Sequence, residues 1–287
     1  MSDPSPLTLR NALQQSTNKL ACTSPSARLD SEILLAYVLQ VNRIFLITHE
    51  QRLLQNNELS QFNQLIERRH QGEPIAYLMG QKDFWSFTLT VTPDVLIPRP
   101  ETELLVETVL ALDLAQDSHI LELGTGSGAI AIALALERPN WSITATDIST
   151  AALTIAQTNA KRLHPPHDIC WRHSDWFRAL PPASFSLIVS NPPYIAEQDP
   201  HLNQGGLPFE PHSLALRAGE DGLHDLIQII QHAPCWLKPN GYLCLEHGYQ
   251  QAPHVQQFMT KIGFQAIQTL SDLAGHPRVT YGILASE

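Results

Sequence analysis

Asn191, Pro192, Pro193 and Tyr194 carry the clearest chemistry in this chain. The Asn191 side-chain oxygen and the backbone carbonyl of Pro192 are both hydrogen-bond acceptors. Converging on one point, they would hold the two hydrogens of an NH2 group and orient its nitrogen toward an electrophile. Tyr194 adds an aromatic wall for a flat amide or base. The plainer alternative is a helix N-cap Asn followed by an ordinary proline turn. The element behind the tetrapeptide is the apolar run Phe185 to Ser190, which reads as a buried strand. Prolines cannot donate to a ladder, and Pro192 pushes Asn191 toward an extended conformation. The strand therefore stops in a stiff corner. Its C-terminal end is where an open α/β sheet binds ligands.

A second set of residues precedes this corner. His119 to Leu123 reads as a short strand, Gly124-Thr125-Gly126-Ser127-Gly128 as a turn, and Ala129 to Leu134 as an apolar helix. Strand, glycine turn and helix form the nucleotide-binding arrangement, because glycine tolerates positive φ and lets a ligand approach the backbone. With Ala129 in the last place the turn also satisfies G-x-G-x-x-A, the dinucleotide fingerprint. No Gly-Lys-Ser/Thr follows, which excludes a phosphate-cradling P-loop. Trp141 to Thr146 is the second strand, and Asp147 at its end can accept both ribose hydroxyls. The same Asp147 also suits an N-cap for the helix starting near Ser149. A weak third strand, Ile169 to Trp171, leads to Asp175 and Trp176; the tryptophan suits either a purine stack or the core.

The remaining elements frame these two sets. Residues 7–72 read as helices, with Asn57 as one cap and Arg68-Arg69-His70 as a solvated helix end. Phe84 to Val91 and Val95 to Ile97 read as a hairpin turning at Thr92-Pro93-Asp94. Pro100, Glu101 and Glu103 suit a first helical turn, and Arg99 between two prolines suggests a role at the mouth of the site. Ile195 to Asp221 lacks periodicity and reads as a functional lid. Residues 222–236 read as helix, Lys238 to Gly241 as a turn and Tyr242 to Leu245 as a fifth strand, with Glu246, His247 and Gly248 ending near the presumed site. A helix to Ile262 and strands near 265–269 and 279–284 complete the sheet.

Composition narrows the class. A content of 43% hydrophobic and 16% charged residues describes a soluble globular protein. No apolar run approaches ~18 residues, so no membrane span is expected. The N-terminus has no basic region before an apolar core, so no signal peptide is expected. Cys22, Cys170, Cys235 and Cys244 form no Cys-x-x-Cys, which fits free thiols in a reducing cytoplasm. His167-x-x-Cys170-x-x-His173 does not share a face at strand periodicity, so no metal site is expected. The net charge of -10 lies wholly in residues 91–287, since residues 1–90 hold 8 Lys/Arg and 8 Asp/Glu. An acidic domain is a poor partner for a phosphate backbone.

Leu121-Glu122-Leu123-Gly124-Thr125-Gly126-Ser127-Gly128 resembles motif I of the class I S-adenosyl-L-methionine (AdoMet)-dependent methyltransferases. Asn191-Pro192-Pro193-Tyr194 resembles the amino-methyltransferase motif shared by adenine-N6 and glutamine-N5 enzymes. With Ile97 to Glu103, Arg28 to Glu32, Gly72 to Tyr77 and Phe209 to Pro211, the chain resembles the HemK/PrmC family of release factor glutamine methyltransferases almost end to end. Ser127 stands where many relatives carry Thr.

The resemblance implies an α/β fold: a Rossmann-like seven-stranded sheet with its last strand antiparallel, behind a small helical bundle and a connecting β-hairpin. It implies a release-factor-recognition domain over 1–82, the hairpin over 83–98 and the catalytic domain over 99–287. AdoMet would lie against Gly124 to Gly128, with Glu122 near its ammonium, Asp147 on the ribose, Asp175 and Trp176 bordering the adenine, and Asn191 beside it. Asn191 to Tyr194, with Arg99, would hold the glutamine amide of a Gly-Gly-Gln motif in class 1 release factors, leaving S-adenosyl-L-homocysteine as product. A cytoplasmic monomer without a nucleic-acid substrate is expected. Two alternatives remain at this stage: an adenine-N6 nucleic-acid methyltransferase, and an NAD-binding or binding-only Rossmann-like module.

Overall fold

Thr8 caps the first helix by accepting the backbone N–H of Asn11 at 3.2 Å. That helix, α1 (Leu9–Leu20), packs with α2 (Ala27–Leu39), α3 (Arg43–Thr48), α4 (Asn56–His70) and α5 (Ile75–Met79) in a first unit, residues 1–80. Its core is Leu9, Leu13, Leu20, Leu34, Leu35, Leu46, Phe62 and Ile66, all buried. The cap of α4 differs from expectation: Gln55, not Asn57, precedes the helix, and Glu58 returns to the Gln55 N–H at 2.8 Å in a capping box. The basic end of α4 also differs. Arg69 turns inward to Asp30 at 2.7 Å, and Ser24 and Ser26 donate to the same carboxylate at 2.7 and 2.9 Å. A buried carboxylate needs such partners, so this arginine ties α4 to the start of α2 instead of facing solvent.

The structure is a computed structural model that describes residues 7–196, 198, 207–211 and 221–285. The second unit, residues 81–287, opens with a hairpin of β1 (Gln81–Phe84) and β2 (Phe87–Thr90). This corrects the expected hairpin over 83–98. The turn is Trp85-Ser86, with Phe84 opposite Phe87, and residues 95–97, with Val95 and Ile97 buried, do not form a strand. Trp85 takes φ 55°, held by its N–H to Glu103 at 2.8 Å and its indole N–H to Glu137 at 2.7 Å. Those two anchors explain why a bulky residue occupies a left-handed position.

The sheet of this unit consists of β3 (His119–Leu123), β4 (Ser142–Asp147), β5 (Cys170–His173), β6 (Phe185–Ser190), β7 (Leu237–Glu246), β8 (Phe264–Ser271) and β9 (Pro277–Leu284). Their order is β5-β4-β3-β6-β7-β9-β8. β9 runs antiparallel to both its neighbours, β7 and β8, and the other strand pairs are parallel. The expected turn at Lys238 to Gly241 is a bulge inside β7: Phe185 pairs with Leu237 and Leu187 with Tyr242. Asn240 takes φ 60° there, which lets one strand absorb the extra residues. The helices are α6 (Pro100–Ala111), α7 (Ala129–Glu137), α8 (Thr150–Leu163), α9 (His224–His232) and α10 (Ala252–Ile262). Leu121, Leu123, Ile188, Leu243 and Leu245 of the strands pack with Leu226, Ile229 and Ile230 of α9 and Val255 and Met259 of α10. Asn159 of α8 is fully buried and clamps three segments: its amide bonds Thr90 N–H at 2.7 Å, Thr90 carbonyl at 3.0 Å and Ser127 carbonyl at 3.0 Å. Among the described residues no helix is long and apolar enough to cross a membrane.

Candidate active site

The carboxyl ends of β3, β4, β5 and β6 open onto one cleft of about 430 Å³, a volume suited to a small-molecule ligand. β4 and β6 flank β3 on opposite sides, so the chain order reverses there and leaves a crevice. Gly124, Gly126, Asp147, Asp175, Trp176, Asn191 and Pro193 line it. Thus seven of the residues singled out in the sequence meet at one place, from four different strand ends.

The glycine turn divides its work. Gly126 has φ 55°, and a Cβ there would meet no protein atom, so its backbone is bare toward the opening. A Cβ on Gly128, at φ 84°, would lie 3.1 Å from Ala156 Cβ and Ile132 Cδ1; this glycine allows α7 and α8 to pack. Trp176 lies over Gly124, its ring 3.6 Å from where a Cβ would stand. Trp176 itself sits at φ 48°, with its carbonyl held by Ser174 Oγ at 2.7 Å. Glu122 and, within the turn, Thr125, Ser127 and Gly128 are buried and do not line the cleft. Thr125 Oγ1 donates to Glu122 Oε2 at 2.7 Å and Ala131 N–H to the same oxygen at 3.1 Å, while Oε1 has no partner. Burial pushes the Glu122 carboxyl up to about 8.

Asp147 accepts Gly126 N–H on Oδ2 and Ser149 N–H on Oδ1, both at 2.8 Å. It is not the cap of α8, since Ser149 Oγ accepts Ala152 N–H at 3.1 Å. Each carboxylate oxygen keeps a further lone pair for a ligand hydroxyl. Burial raises the Asp147 pKa. Asp175 pairs with Arg178 at 2.8 Å.

At the corner after β6, residues 191–196 are not helical, so the N-cap reading of Asn191 does not hold. Asn191 Nδ2 instead donates to Thr102 Oγ1 of α6 at 3.0 Å. Pro193 lines the cleft and Pro192 is buried behind it. Tyr194 departs from its expected place as a wall. Its ring packs against the apolar core and its hydroxyl lies 3.4 Å from Glu246 Oε1, because a buried phenol needs a polar partner. The Tyr194 carbonyl accepts Gln251 Nε2 at 3.0 Å, and the same nitrogen holds Gly222 at 3.0 Å. Arg99 does not line the cleft; it pairs with buried Glu210, whose other oxygen accepts Ile97 N–H at 3.3 Å. Residues 197, 199–206 and 212–220, most of the stretch read as a lid, lie outside the described residues.

Sequence reasoning missed Thr102 and Gln251, which bond to the corner, and the α9 residues His224, Asp225 and Gln228, which line the cleft. Thr102 was visible only as part of a helix start. The helix itself was read from the sequence, but no local pattern places α9 at the cleft, because its approach to the site is a tertiary event.

The cleft is acidic. Asp94, Asp147, Asp175 and Asp225 line it, and Arg178 is the only lysine or arginine among its described lining residues. Such a field favours a cation over a pyrophosphate. AdoMet, with a sulfonium and an ammonium, fits this donor set, the bare Gly126 backbone and the unpartnered Glu122 Oε1. A dinucleotide would bring its pyrophosphate against these carboxylates. Among the described residues no three His, Cys, Asp or Glu side chains are grouped to hold a metal ion.

Sheet order and site together define a class I methyltransferase, and the comparisons agree. Residues 100–205 match the methyltransferase small domain and residues 11–80 the PrmC N-terminal domain. A methyltransferase from Pyrococcus furiosus superposes with a TM-score of 0.53 over 77% of this chain and 98% of that one, at 16% identity, which speaks to the fold alone. The release factor glutamine methyltransferase of Pseudomonas aeruginosa is 49% identical over 90% of this chain and 93% of its own length. That of Shewanella oneidensis is 44% identical over 96% and 95%. The chain belongs to the release factor glutamine methyltransferase family.

Proposed function

We propose that this chain transfers a methyl group from AdoMet to the side-chain amide nitrogen, N5, of the glutamine in the Gly-Gly-Gln motif of class 1 release factors. The orientation of Asn191 carries the reading. Its NH2 is engaged by Thr102, so its oxygen is the atom left for a ligand at the cleft. An acceptor there suits a substrate that presents N–H, as a primary amide does.

The chain's own residues then act by position and charge. Gly124, Gly126, Asp147, Asp175 and Trp176 would hold the cofactor, with Glu122 completing the field beneath the turn. When bound, AdoMet supplies an electrophilic methyl on a sulfonium. A carboxamide nitrogen is a poor nucleophile, because its lone pair is delocalised into the carbonyl. Asn191 Oδ1 and the Pro192 carbonyl, each accepting one amide hydrogen, raise electron density on that nitrogen and fix its line of attack. The stiff backbone of Pro192 and Pro193 keeps the two acceptors from relaxing apart. Arg99 supports this geometry indirectly, through its tie to Glu210 and Ile97.

We assign the helical unit to docking of the release factor, because it holds none of the site residues. The adenine-N6 alternative shares the tetrapeptide but requires a nucleic-acid surface, and the cleft is acidic. One incubation with labelled AdoMet, whole release factor and duplex DNA tests the proposal. Label is expected in the release factor; label in DNA alone would replace this reading with the adenine one.

A further inference from the structure

The reading above requires Asn191 to keep its nitrogen inward and its oxygen outward. An amide has nearly the same shape after a flip, so shape alone does not choose. Thr102 Oγ1 does not choose either, since a hydroxyl both donates and accepts. The choice must come from whatever lies behind Thr102. That group is Glu246, the last residue of β7, fully buried and outside the cleft lining. Tyr194 Oη lies 3.4 Å from its Oε1, Oε2 is left without a hydrogen bond, and the neighbouring Thr102 hydroxyl lowers the pKa of the carboxyl.

We propose that Glu246 is a positioning residue that sets the direction of this chain of hydrogen bonds and thereby the facing of Asn191. An ionised carboxylate only accepts. Thr102 must then donate its O–H toward Glu246, which leaves the Thr102 oxygen as acceptor for Asn191 Nδ2–H. Asn191 is thus held with Oδ1 available to the substrate amide. Protonated, Glu246 gains an O–H of its own; the chain can run in reverse, and Asn191 then accepts from Thr102 and turns its NH2 toward the substrate NH2. Donor would face donor. The inference deepens the glutamine-methylation reading and rests on it.

The surroundings make this switch sensitive near neutrality. Burial pushes the Glu246 carboxyl up to about 7, Glu101 of α6 raises it further, and the Thr102 and Tyr194 hydroxyls and Arg278 of β9 lower it. His247, the next residue, is held below its usual range by burial, with its ring nitrogens on Thr280 Oγ1 and the Gly248 carbonyl. The active state needs the ionised carboxyl, so activity is present above the folded-state pKa and is lost as pH falls through it.

The test is steady-state methyl transfer to whole release factor as a function of pH, with AdoMet affinity and melting temperature measured on the same preparations. Glu246→Gln can present either an oxygen or an NH2 to Thr102 and so no longer dictates the direction. It is expected to lower kcat by ~10–100-fold, the range for groups that orient a ligand from behind, with AdoMet affinity unchanged. The wild type is expected to lose kcat below a pH of about 7 and Glu246→Gln to lack that limb. Thr102→Val breaks the chain and should lower kcat similarly, whereas Thr102→Ser keeps the hydroxyl and should recover most of the loss. A wild-type kcat in Glu246→Gln, or an acidic limb that persists in it, overturns the proposal. If Glu246→Gln does not fold, a stable Thr102→Val with wild-type kcat overturns it equally. Absence of glutamine methylation by the wild type at every pH would instead overturn the functional reading itself.

Discussion

Asn191 shows how much one side chain can be read from its neighbours in sequence. The apolar run before it and the two prolines after it place it at a strand end, and there it is found. What its neighbours cannot show is the bond from Nδ2 to Thr102, a residue 89 positions earlier. Tyr194 was misplaced for the same reason: an aromatic beside a site is as easily core as wall, and Glu246 decides which. Asn191→Ala removes an acceptor at the reacting centre while leaving the prolines and the glycine turn in place. Methyl transfer should fall by ~10²–10³. AdoMet affinity, measured by calorimetry, should change little, and near wild-type turnover would remove Asn191 from its role.

At the scale of elements, β3, β6, α7 and α10 were legible because their patterns are strong and uninterrupted. The hairpin was legible as an element, but its turn was not. Its turn rests on Trp85 at positive φ, and the anchors that permit this, Glu103 and Glu137, are distant in sequence. The bulge in β7 was read as a turn because Pro239, Asn240 and Gly241 are turn residues; pairing with β6 on both sides of them restores the strand. The glycine turn gives a direct test of its own division of labour. In Gly126→Ala the new methyl meets no protein atom, so the folding cost is that of positive φ alone, about 1–2 kcal/mol. AdoMet affinity should fall by more than that, because the methyl occupies the space where the ligand approaches. Gly128→Ala should do the reverse, lowering the melting temperature through Ala156 and Ile132 with less effect on affinity in the folded fraction. Equal effects of the two substitutions on affinity would contradict this assignment.

For the whole molecule, charge distribution was the informative feature. A deficit confined to residues 91–287 pointed away from a nucleic-acid substrate, and the carboxylates around the cleft give that field a location. The helical unit has its own core, and the sheet unit has another. A chain beginning at residue 81 is therefore expected to bind AdoMet, to lose most of its kcat/KM on whole release factor, and to lose much less on a short Gly-Gly-Gln peptide. Equal losses on both substrates would mean that the helical unit supports the site and not docking. The most direct measurement follows tritium from labelled AdoMet into whole release factor, compared with the same factor carrying Glu in place of the Gly-Gly-Gln glutamine. The account predicts label on that glutamine and none on the Glu variant, since an ionised carboxylate has no NH2 to offer Asn191 and Pro192. Equal label in the two factors would contradict it.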